Sequence, residues 1–539
     1  MDKRQGTRRE FLKVTGTAAL GVATEVPVRA AVPAARESSP ELTADFNARE
    51  FGATGDGKML DSPAINKAIA AAAAVKGGTV HLPAGTYLCY SIRLMSNVRL
   101  QLTSGTVVLA ADPPLRKGFG EGYDSAESNR PWDDFQDFGH SHWHNSLFWG
   151  EGLENVSICG PGLISGKGIS RGEFQGPVAE IPGAANKAIA LKNCHGVILR
   201  DFSIFHGGHF GILTTGVDNL TIDNVKIDTN RAGIDMDSCR NVRVSNCSIN
   251  APWDDAICQK SSLALGLARA AEMITISDCM VSGSFEEGSL LDGTFRRFPP
   301  DADIDRNGRI KLGTESNGGF KNITVSNCVF DYSRGLALEA VDGALLEDIT
   351  ISNITMRDIS NSPIFLRLGS RNRGPKETTK VGAMRRVIIS NVVVHNADPK
   401  YSSIISGIPG YLIEDVQLSN IRIYARGGGT KEQAALEPAE RENIYPEPTM
   451  FGELPSYGFF VRHVKGLQMR DVEVSYLSPD LRPAFWLNDV TGVEFIHVKA
   501  QRESDVPTFV MKDITGFSIQ QSWPLQDQRI ERVEGRRVF

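Results

Sequence analysis

The chain has 539 residues, 41% of them hydrophobic and 23% charged, so it is long enough to bury a large core. Its formal net charge is -6 and its sequence shows no basic stripe, which argues against a nucleic-acid partner. The 53 glycines indicate the many tight turns that a protein of many short strands needs.

The N-terminus has the pattern of an export signal. Arg8 and Arg9 precede a weakly apolar run that ends near Val26, and alanines follow at positions 30, 31 and 34. This arrangement is similar to a twin-arginine signal; a flexible basic tail is the alternative. No run of about twenty apolar residues could anchor the chain in a membrane. We predict that residues 1–44 are signal peptide and linker, that residues 45–539 form one catalytic body, and that the protein is periplasmic or secreted.

Residues 51–87 predict a cap for a solenoid. The run F-G-A-T-G-D-G from Phe51 is followed by Asp61, Ile65 and Ile69 at helical spacing, and then by G-G-T-V-H-L-P-A-G-T-Y. This order resembles the opening of pectin-degrading right-handed parallel β-helices, in which the helix covers one end. A cap is required there, because an open coil would expose apolar side chains and unpaired backbone groups.

From about residue 90 one pattern, apolar-x-apolar-x-polar-Asn/Asp-x-apolar, recurs at least ten times. Alternation with period two predicts strands, and a basic step of 22 to 26 residues is typical of one coil per repeat. We predict an all-β chain, a right-handed single-stranded parallel β-helix with an N-terminal capping helix. A leucine-rich horseshoe or a propeller fits less well, because the leucine pattern and the longer blades are missing. The Asn/Asp anchors, expected to hydrogen-bond along the stack, are Asp201, Asn224, Asn246, Asp278, Asn327, Asn353, Asn391, Asn420 and Asp471.

Neither a disulfide nor a metal or cofactor is predicted. Cys247, Cys279 and Cys328, three of the eight cysteines, hold the same place in their repeats. Equivalent positions of stacked strands lie about 4.8 Å apart, so these residues are expected to form a ladder of free thiols in the core. The run from Asp303 begins like a calcium loop, but its twelfth position is Thr314 rather than Glu.

Three loops interrupt the repeat and are candidates for ligand contacts, because loops on a rigid scaffold commonly carry function. They span residues 111–146, 284–308 and 425–457. Their clustered aromatic and charged residues include Trp132, His140, Trp143, Glu286, Arg296, Arg426, Arg441, Tyr445 and Tyr457.

Two carboxylate pairs lie in neighbouring repeats. Asp235 and Asp237 precede Asp254 and Asp255, and the first members of the two pairs are nineteen residues apart. Stacked coils would bring them close together in space. Glycosidic cleavage by inversion needs one carboxylic acid and one carboxylate that activates water, and these residues could supply both. Neighbouring carboxyls also raise one another's pKa, which helps one of them to stay protonated.

These residues resemble the signatures of family 28 glycoside hydrolases, the polygalacturonase family. The N-T-D-G-I-D signature corresponds to Asn230–Asp235, and the D-D signature is retained as Asp254 and Asp255. The resemblance implies that Asp254 is the general acid and that Asp255 orients water. The leading Asp of the first signature is Ala232 here, so Asp235 is the candidate replacement for the base.

Other signature positions depart from the family pattern. The Arg and Lys of R-I-K fall on Ala337 and Glu339, so we expect Arg309 and Lys311 to supply cations from the neighbouring coil. Glu315 completes the predicted substrate-binding set of Arg309, Lys311, Glu315 and Glu339. The two glutamates would repel an acidic sugar, which favours a neutral residue such as rhamnose in one subsite.

The resemblance implies an exported, monomeric glycoside hydrolase without a cofactor. Its substrate would be a pectic polysaccharide or oligosaccharide of the polygalacturonan or rhamnogalacturonan type, cleaved with inversion. Residues 313–319, G-T-E-S-N-G-G, are similar to a stretch of exo-acting bacterial members. A polysaccharide lyase on the same fold and a non-catalytic carbohydrate-binding solenoid are the alternatives.

Overall fold

The computed structural model describes residues 44–114, 122–136, 138–171, 182–229, 231–286, 288–299, 301–304 and 306–539. The predicted export signal lies outside these ranges. The described part is built of 35 strands and three short α-helices. No helix among the described residues is both long and apolar enough to cross a membrane.

The helices are α1 (Ser62–Ala74), α2 (Ser289–Asp292) and α3 (Lys431–Ala434). The strands of the first half are β1 (Asp45–Asn47), β2 (Asp56–Leu60), β3 (Gly78–Leu82), β4 (Gly85–Cys89), β5 (Ile92–Arg93), β6 (Val98–Leu102), β7 (Thr106–Ala110), β8 (Phe148–Glu151), β9 (Glu154–Cys159), β10 (Leu163–Ser165), β11 (Lys187–Lys192), β12 (His195–Arg200), β13 (Ser203–Phe205), β14 (Phe210–Thr215), β15 (Asp218–Asp223), β16 (Lys226–Asp228), β17 (Ala232–Asp237), β18 (Arg240–Ser245), β19 (Ser248–Asn250) and β20 (Ile257–Ser261). The remaining strands are β21 (Ala271–Ser277), β22 (Met280–Ser282), β23 (Ile310–Ser316), β24 (Phe320–Asp331), β25 (Leu336–Ala340), β26 (Leu345–Arg357), β27 (Ile364–Leu368), β28 (Ala383–Ala397), β29 (Ser403–Ser406), β30 (Ile413–Gly427), β31 (Phe459–Ser478), β32 (Phe485–Ile496), β33 (Lys499–Ala500), β34 (Phe509–Gln520) and β35 (Gln528–Val538).

The strands stack in parallel, each on the equivalent strand of the next coil, and so form three long ladders. The ladder that matters for function runs from β8 through β11, β14, β17, β20, β23, β25, β27 and β29 to β31; we call it the site face. Its inward side chains, such as Ile212, Ile234 and Ile257, are fully buried. The predicted parallel β-helix is confirmed.

Helix α1 covers the first coil, as predicted. Proline at the second helical position and a run of alanines favour helix here. The Asp61 carboxylate accepts hydrogen bonds from the backbone N–H groups of Thr54 (2.7 Å) and Gly55 (3.1 Å), which fixes the preceding glycine-rich turn. Ile65 and Ile69 are fully buried against the core. At the other end, β35 pairs antiparallel with β34.

The predicted Asn/Asp ladder is present and explains why those residue types recur. Asn353 has a φ of 57°, in the left-handed region that Asn tolerates better than most residues. Its side-chain Nδ2 donates to Asn327 Oδ1 (2.9 Å), and its side-chain Oδ1 accepts from Asn391 Nδ2 (2.9 Å). From Asp278 to Asn420 each anchor thus completes a bend and joins it to a neighbouring coil. All eight cysteines are buried and free, as predicted.

Two apolar clusters on the outer surface of the site face seat the long loops. The N-terminal apolar cluster consists of Trp143, Ala190, Phe210, Leu213, Ala232 and Ala264. The C-terminal apolar cluster consists of Ala337, Phe365, Ile404, Phe451, Leu454, Phe460, Trp486 and Val510. Trp143 reaches the first cluster from the loop before β8, and Phe451 and Leu454 reach the second from the loop before β31. Charged side chains fill the stretch of site face between them.

Candidate active site

The register of the site face brings the predicted residues together. Leu213 pairs with Asp235, Asp235 with Cys258, Cys258 with Lys311, and Lys311 with Ala337. Because side chains alternate across a strand, these five point outward and form one row. The row changes from apolar to charged at Asp235 and returns to apolar at Ala337.

Asp255 is buried and held between two cations. Its Oδ1 accepts from Arg309 Nε at 2.8 Å, and its Oδ2 lies 3.3 Å from Lys311 Nζ. Burial by itself would raise the pKa of Asp255, but Lys311 and Arg309 outweigh it and hold that pKa well below its usual value. These two cations therefore favour the ionised form of Asp255.

Asp254 is the open member of the pair. Its side chain is 32% exposed, and its Oδ2 lies 3.4 Å from Arg231 Nε. The backbone N–H of Asp255 donates to Asp254 Oδ1 at 2.8 Å, which fixes the orientation of the carboxyl. Asp254 is thus placed to meet a ligand while its neighbour is covered.

Asp235 lies on the floor of the site in a different environment. Lys260 Nζ is 3.7 Å from its Oδ2, and its Oδ1 has no hydrogen-bond partner among the described residues. Burial raises the pKa of Asp235 well above its usual value, with repulsion from Asp237, Glu315 and Asp254 adding to the effect and Lys260 opposing it. A raised pKa favours the protonated carboxyl, whereas the base role expected for Asp235 needs the ionised one, and that role stays a prediction.

The two glutamates of the predicted binding set are largely neutralised. Glu315 lies 2.8 Å from Lys260 Nζ and within 4 Å of Arg371 and Arg373. Glu339 is fully buried and accepts from Thr314 Oγ1 at 2.9 Å; burial raises its pKa to about 7 although Lys311 and Arg309 oppose this. Both carboxyls thus have cationic neighbours, and their repulsion of an acidic sugar stays a prediction.

Arg309 and Lys311 do supply cations from the neighbouring coil, but both are buried and already paired. The Arg309 guanidinium contacts Asp255 and Glu447, and Arg334 lies 3.1 Å from the same glutamate. Lys311 Nζ lies 3.4 Å from the Tyr445 hydroxyl. The two cations fix Asp255 and the neighbouring loop, which leaves their predicted contact with substrate a prediction.

Sequence reasoning missed Lys260 and Glu447. Lys260 could have been found, because alternation from Cys258 places it on the outer side of the same strand, β20. Glu447 is 138 residues from Arg309 in sequence, and no periodicity marks it. Tyr445 was expected only as a loop residue; in the structure its hydroxyl oxygen lies 3.0 Å from Thr314 Oγ1, beside Glu339.

Most other loop residues hold the loops in place. Trp143 is fully buried and donates to Thr215 Oγ1 at 3.0 Å, and Tyr457 is buried in the core. Arg296 pairs with Glu286 at 3.1 Å. The run that begins like a calcium loop at Asp303 includes Asp305, which lies outside the described residues.

A cavity of about 340 Å³ is lined by residues of two turns, one after β10 and one after β13. Lys167, Arg171 and His206 are among its lining residues. Arg231 joins it to the site, since its Nη1 donates to the Arg171 carbonyl at 2.8 Å and its Nε faces Asp254. The Arg171 guanidinium lies 5.7 Å from the ring of Trp253, which is partly exposed next to Asp254. The cavity is thus cationic and bordered by an aromatic ring.

Comparison with known proteins agrees with this architecture. The family model described as rhamnogalacturonase A/epimerase, pectate lyase-like, matches residues 46–255. A probable polygalacturonase of Vitis vinifera is 22% identical over 435 residues, which cover 76% of this chain and 80% of the relative. The fold of this chain is that of a pectin-lyase-type parallel β-helix.

Two solved structures are similar to this β-helix along most of its length. The hyperthermoactive exopolygalacturonase of Thermotoga maritima has a TM-score of 0.56 and 17% identity, with 92% of this chain and 95% of that chain covered. The family 28 exopolygalacturonase of Yersinia enterocolitica has a TM-score of 0.59 and 17% identity, with 84% and 78% covered. At this identity the likeness establishes the fold.

Proposed function

We propose that this chain is an exported glycoside hydrolase that cleaves a pectic polysaccharide or oligosaccharide from a chain end by inverting acid/base hydrolysis. One observation carries the proposal: Asp254 is open to solvent, whereas its neighbour Asp255 is buried and kept ionised by Arg309 and Lys311. Inversion needs one carboxyl that reaches the leaving oxygen and another that accepts a proton from water.

In the proposed reaction Asp254 protonates the glycosidic oxygen while the bond to the anomeric carbon breaks. A water molecule attacks that carbon from the opposite face and gives its proton to Asp255, so that the configuration inverts. Asp235 keeps its proton and acts as a hydrogen-bond donor on the floor of the site. The proton on Asp255 then returns to Asp254 through solvent.

An acidic sugar is favoured in the cavity beside Asp254. Lys167, Arg171 and Arg231 bring three cations to this region, and guanidinium groups suit carboxylate geometry. The partly exposed Trp253 offers an apolar face next to the scissile bond. A galacturonate residue fits this chemistry, in polygalacturonan as well as in rhamnogalacturonan.

Chain-end action is supported by the segments that flank the carboxyls. Burial by itself would raise the pKa of Glu315, but Lys260 and Arg371 lower it, and His140, in the loop before β8, lies close enough to add to their effect. Tyr445, in the loop before β31, contacts Thr314 and Lys311. A site with a loop on each side admits a chain end more readily than the middle of a polymer.

The test is to incubate the purified protein with polygalacturonan, rhamnogalacturonan and their oligosaccharides, and to identify products by mass and by proton NMR of the new anomer. We expect mono- or disaccharide release from the first turnovers, with inverted configuration. Asp254→Asn should lower kcat by about 10²- to 10⁴-fold. Asp278→Asn is the matched control, because this anchor accepts from Asn327 (3.1 Å) in another ladder.

Two results would overturn the proposal. An unsaturated product that absorbs in the ultraviolet and disappears on chelation would identify a lyase. Binding of these oligosaccharides without turnover at any pH would identify a carbohydrate-binding solenoid. Unchanged kcat in Asp254→Asn would reject the assigned acid while leaving the reaction class open to the other carboxyls.

We also propose that the protein is exported through the twin-arginine route. The paired Arg8 and Arg9 ahead of a short apolar run support this. The double substitution of Arg8 and Arg9 by Lys should retain the protein in the cytoplasm, whereas Lys13→Arg should not. Equal export of both variants, measured by cell fractionation, would argue against this route.

A further inference from the structure

A second cluster of ionisable side chains lies at the start of the site face, away from the proposed catalytic carboxyls. It combines Glu127 and His144, from the loop before β8, with Glu151, the last residue of β8. Neither the proposed hydrolysis nor the packing of the N-terminal apolar cluster uses these three side chains. One carboxylate oxygen or ring nitrogen from each lies within 4.8 Å of the other two.

The separations are those of ligands around one small cation. His144 Nε2 lies 3.6 Å from Glu127 Oε1 and 3.2 Å from Glu151 Oε2. Ligands bound at about 2.1 Å in tetrahedral geometry lie roughly 3.4 Å from one another. Small rotations of the two glutamate side chains would complete the triangle.

One carboxylate oxygen of each glutamate already has a partner, which leaves the other oxygen of each facing the centre of the cluster. Glu127 Oε2 accepts from the backbone N–H groups of Trp143 (2.9 Å) and His144 (3.4 Å). Glu151 Oε1 is paired with Lys192 Nζ at 2.7 Å. Glu127 Oε1, by contrast, is buried and has no hydrogen-bond partner among the described residues. A buried carboxylate oxygen without a donor is costly, and a cation at the centre would satisfy it.

We propose that Glu127, His144 and Glu151 bind one divalent transition-metal ion, with Zn²⁺ as the preferred ion. Imidazole with carboxylate is a donor set that suits Zn²⁺. Solvent completes the coordination, because the side chains of His144 and Glu151 are 28% and 37% exposed. The ion joins the loop that carries Trp143 and His140 to the frame at β8, so its role is to hold one wall of the active site.

The competing explanation is a protonated His144 that bridges the two carboxylates without a metal. It predicts stabilisation only at acidic pH and no dependence on Zn²⁺. A metal site predicts that Zn²⁺ stabilises the protein at neutral pH and that this stabilisation is lost at acidic pH, because Zn²⁺ binds the neutral imidazole and is displaced by protons.

The test is titration of the full-length, chelator-treated protein with Zn²⁺ at neutral pH, followed by calorimetry and by metal analysis after dialysis. We expect one Zn²⁺ per chain and a rise in Tm on binding. His144→Gln and Glu151→Gln should each weaken binding by about tenfold or more and abolish the Tm shift. Co²⁺ in place of Zn²⁺ should give visible d–d bands in the wild type and none in His144→Gln.

The matched control is His81→Gln, which removes a histidine paired with a single carboxylate, Asp45, at 3.0 Å. This variant should bind Zn²⁺ as the wild type does. Binding that survives in both His144→Gln and Glu151→Gln, or stabilisation confined to acidic pH and independent of Zn²⁺, would overturn the proposal. Circular dichroism confirms that each variant is folded, so lost binding is read as a lost ligand.

Discussion

Ala232 and Ala337 are the residues at which this chain departs most from the polygalacturonase signatures. Both positions hold a charged residue in those signatures, and here each side chain belongs to one of the two apolar clusters that seat the loops. Lys311 is the strand partner of Ala337 in the neighbouring coil, and its replacement of the lost charge stays a prediction. The substitutions therefore form part of a repacked site rather than isolated losses.

Restoring the signature residue should consequently harm the protein. Ala232→Asp would place a carboxylate among Phe210, Leu213 and Trp143, where the loss of hydration is poorly compensated. We expect the free energy of unfolding to fall by about 3 kcal/mol or more, with no gain in kcat. Ala232→Asn, of nearly the same size but uncharged, should cost less. Equal stability of Ala232→Asp and wild type in urea unfolding would contradict this account.

Glu339 makes a prediction for the dependence of stability on pH. Its folded-state pKa is about 7, raised by burial from an ordinary value of 4.5, so the folded protein keeps a proton that the unfolded chain releases between these values. The contribution of Glu339 to the free energy of unfolding is complete below its ordinary pKa of 4.5 and is lost as the pH rises through its folded-state pKa of about 7. Across this pH window the free energy of unfolding of the wild type should fall by on the order of 3 kcal/mol relative to that of Glu339→Gln.

The measurement is urea unfolding of both proteins at pH 5 and at pH 8. Glu414→Gln is the control, because this side chain is exposed, and its difference from wild type should not change with pH. A difference between wild type and Glu339→Gln that is constant between the two pH values would show that Glu339 titrates normally.

At the scale of elements, the loop before β31 is held by buried arginines rather than by secondary structure. Arg462 donates to the backbone carbonyls of Pro438, Ala439 and Glu440 at 2.8 to 3.1 Å. Arg367 donates to the carbonyls of Glu440 and Arg441, both at 3.1 Å. The same loop carries Tyr445 and Glu447 into the site, so its anchors lie far from the groups they position.

Arg462→Met should therefore release the loop while the solenoid stays folded. Hydrogen bonds from charged donors contribute about 1.5–3 kcal/mol each, and Arg462 makes three to this loop. We expect faster proteolytic cleavage between residues 431 and 447 and a lower kcat/KM. Arg422→Met is the control, because that side chain is 60% exposed and its nearest acidic partner is 4.0 Å away. Unchanged cleavage in Arg462→Met would assign the anchoring to the apolar contacts of Phe451 and Leu454.

At the scale of the whole molecule, the parts that could be predicted are those that repeat. The alternation and the Asn/Asp anchors predicted the stack, and the stack placed Asp235 near Asp254 and Asp255. Contacts made by loops escaped prediction, because Glu447 reaches Arg309 across 138 residues by a route that no period encodes. The raised pKa of Asp235 could not be predicted either, since it depends on burial and on neighbouring carboxyls that only the packed site brings together.

The anchor ladder predicts how stability is distributed along the solenoid. Asn353 and Asn391 have φ values of 57° and 54°, and each makes one amide hydrogen bond to the anchor before it and one to the anchor after it. Alanine at either position would lose those bonds and strain the left-handed bend, at a cost of about 2 kcal/mol. Glycine would lose the bonds but fit the bend, at a cost of about 1 kcal/mol.

Because each coil contacts only its neighbours, the two positions should respond alike. We expect Asn353→Ala and Asn391→Ala to lower the free energy of unfolding equally, and the glycine variants to lower it less. Chemical unfolding of the four variants measures this directly. If a glycine variant were less stable than the corresponding alanine variant, the bend would be set by the strands on either side of it. The amide ladder would then be a consequence of the coil rather than its cause.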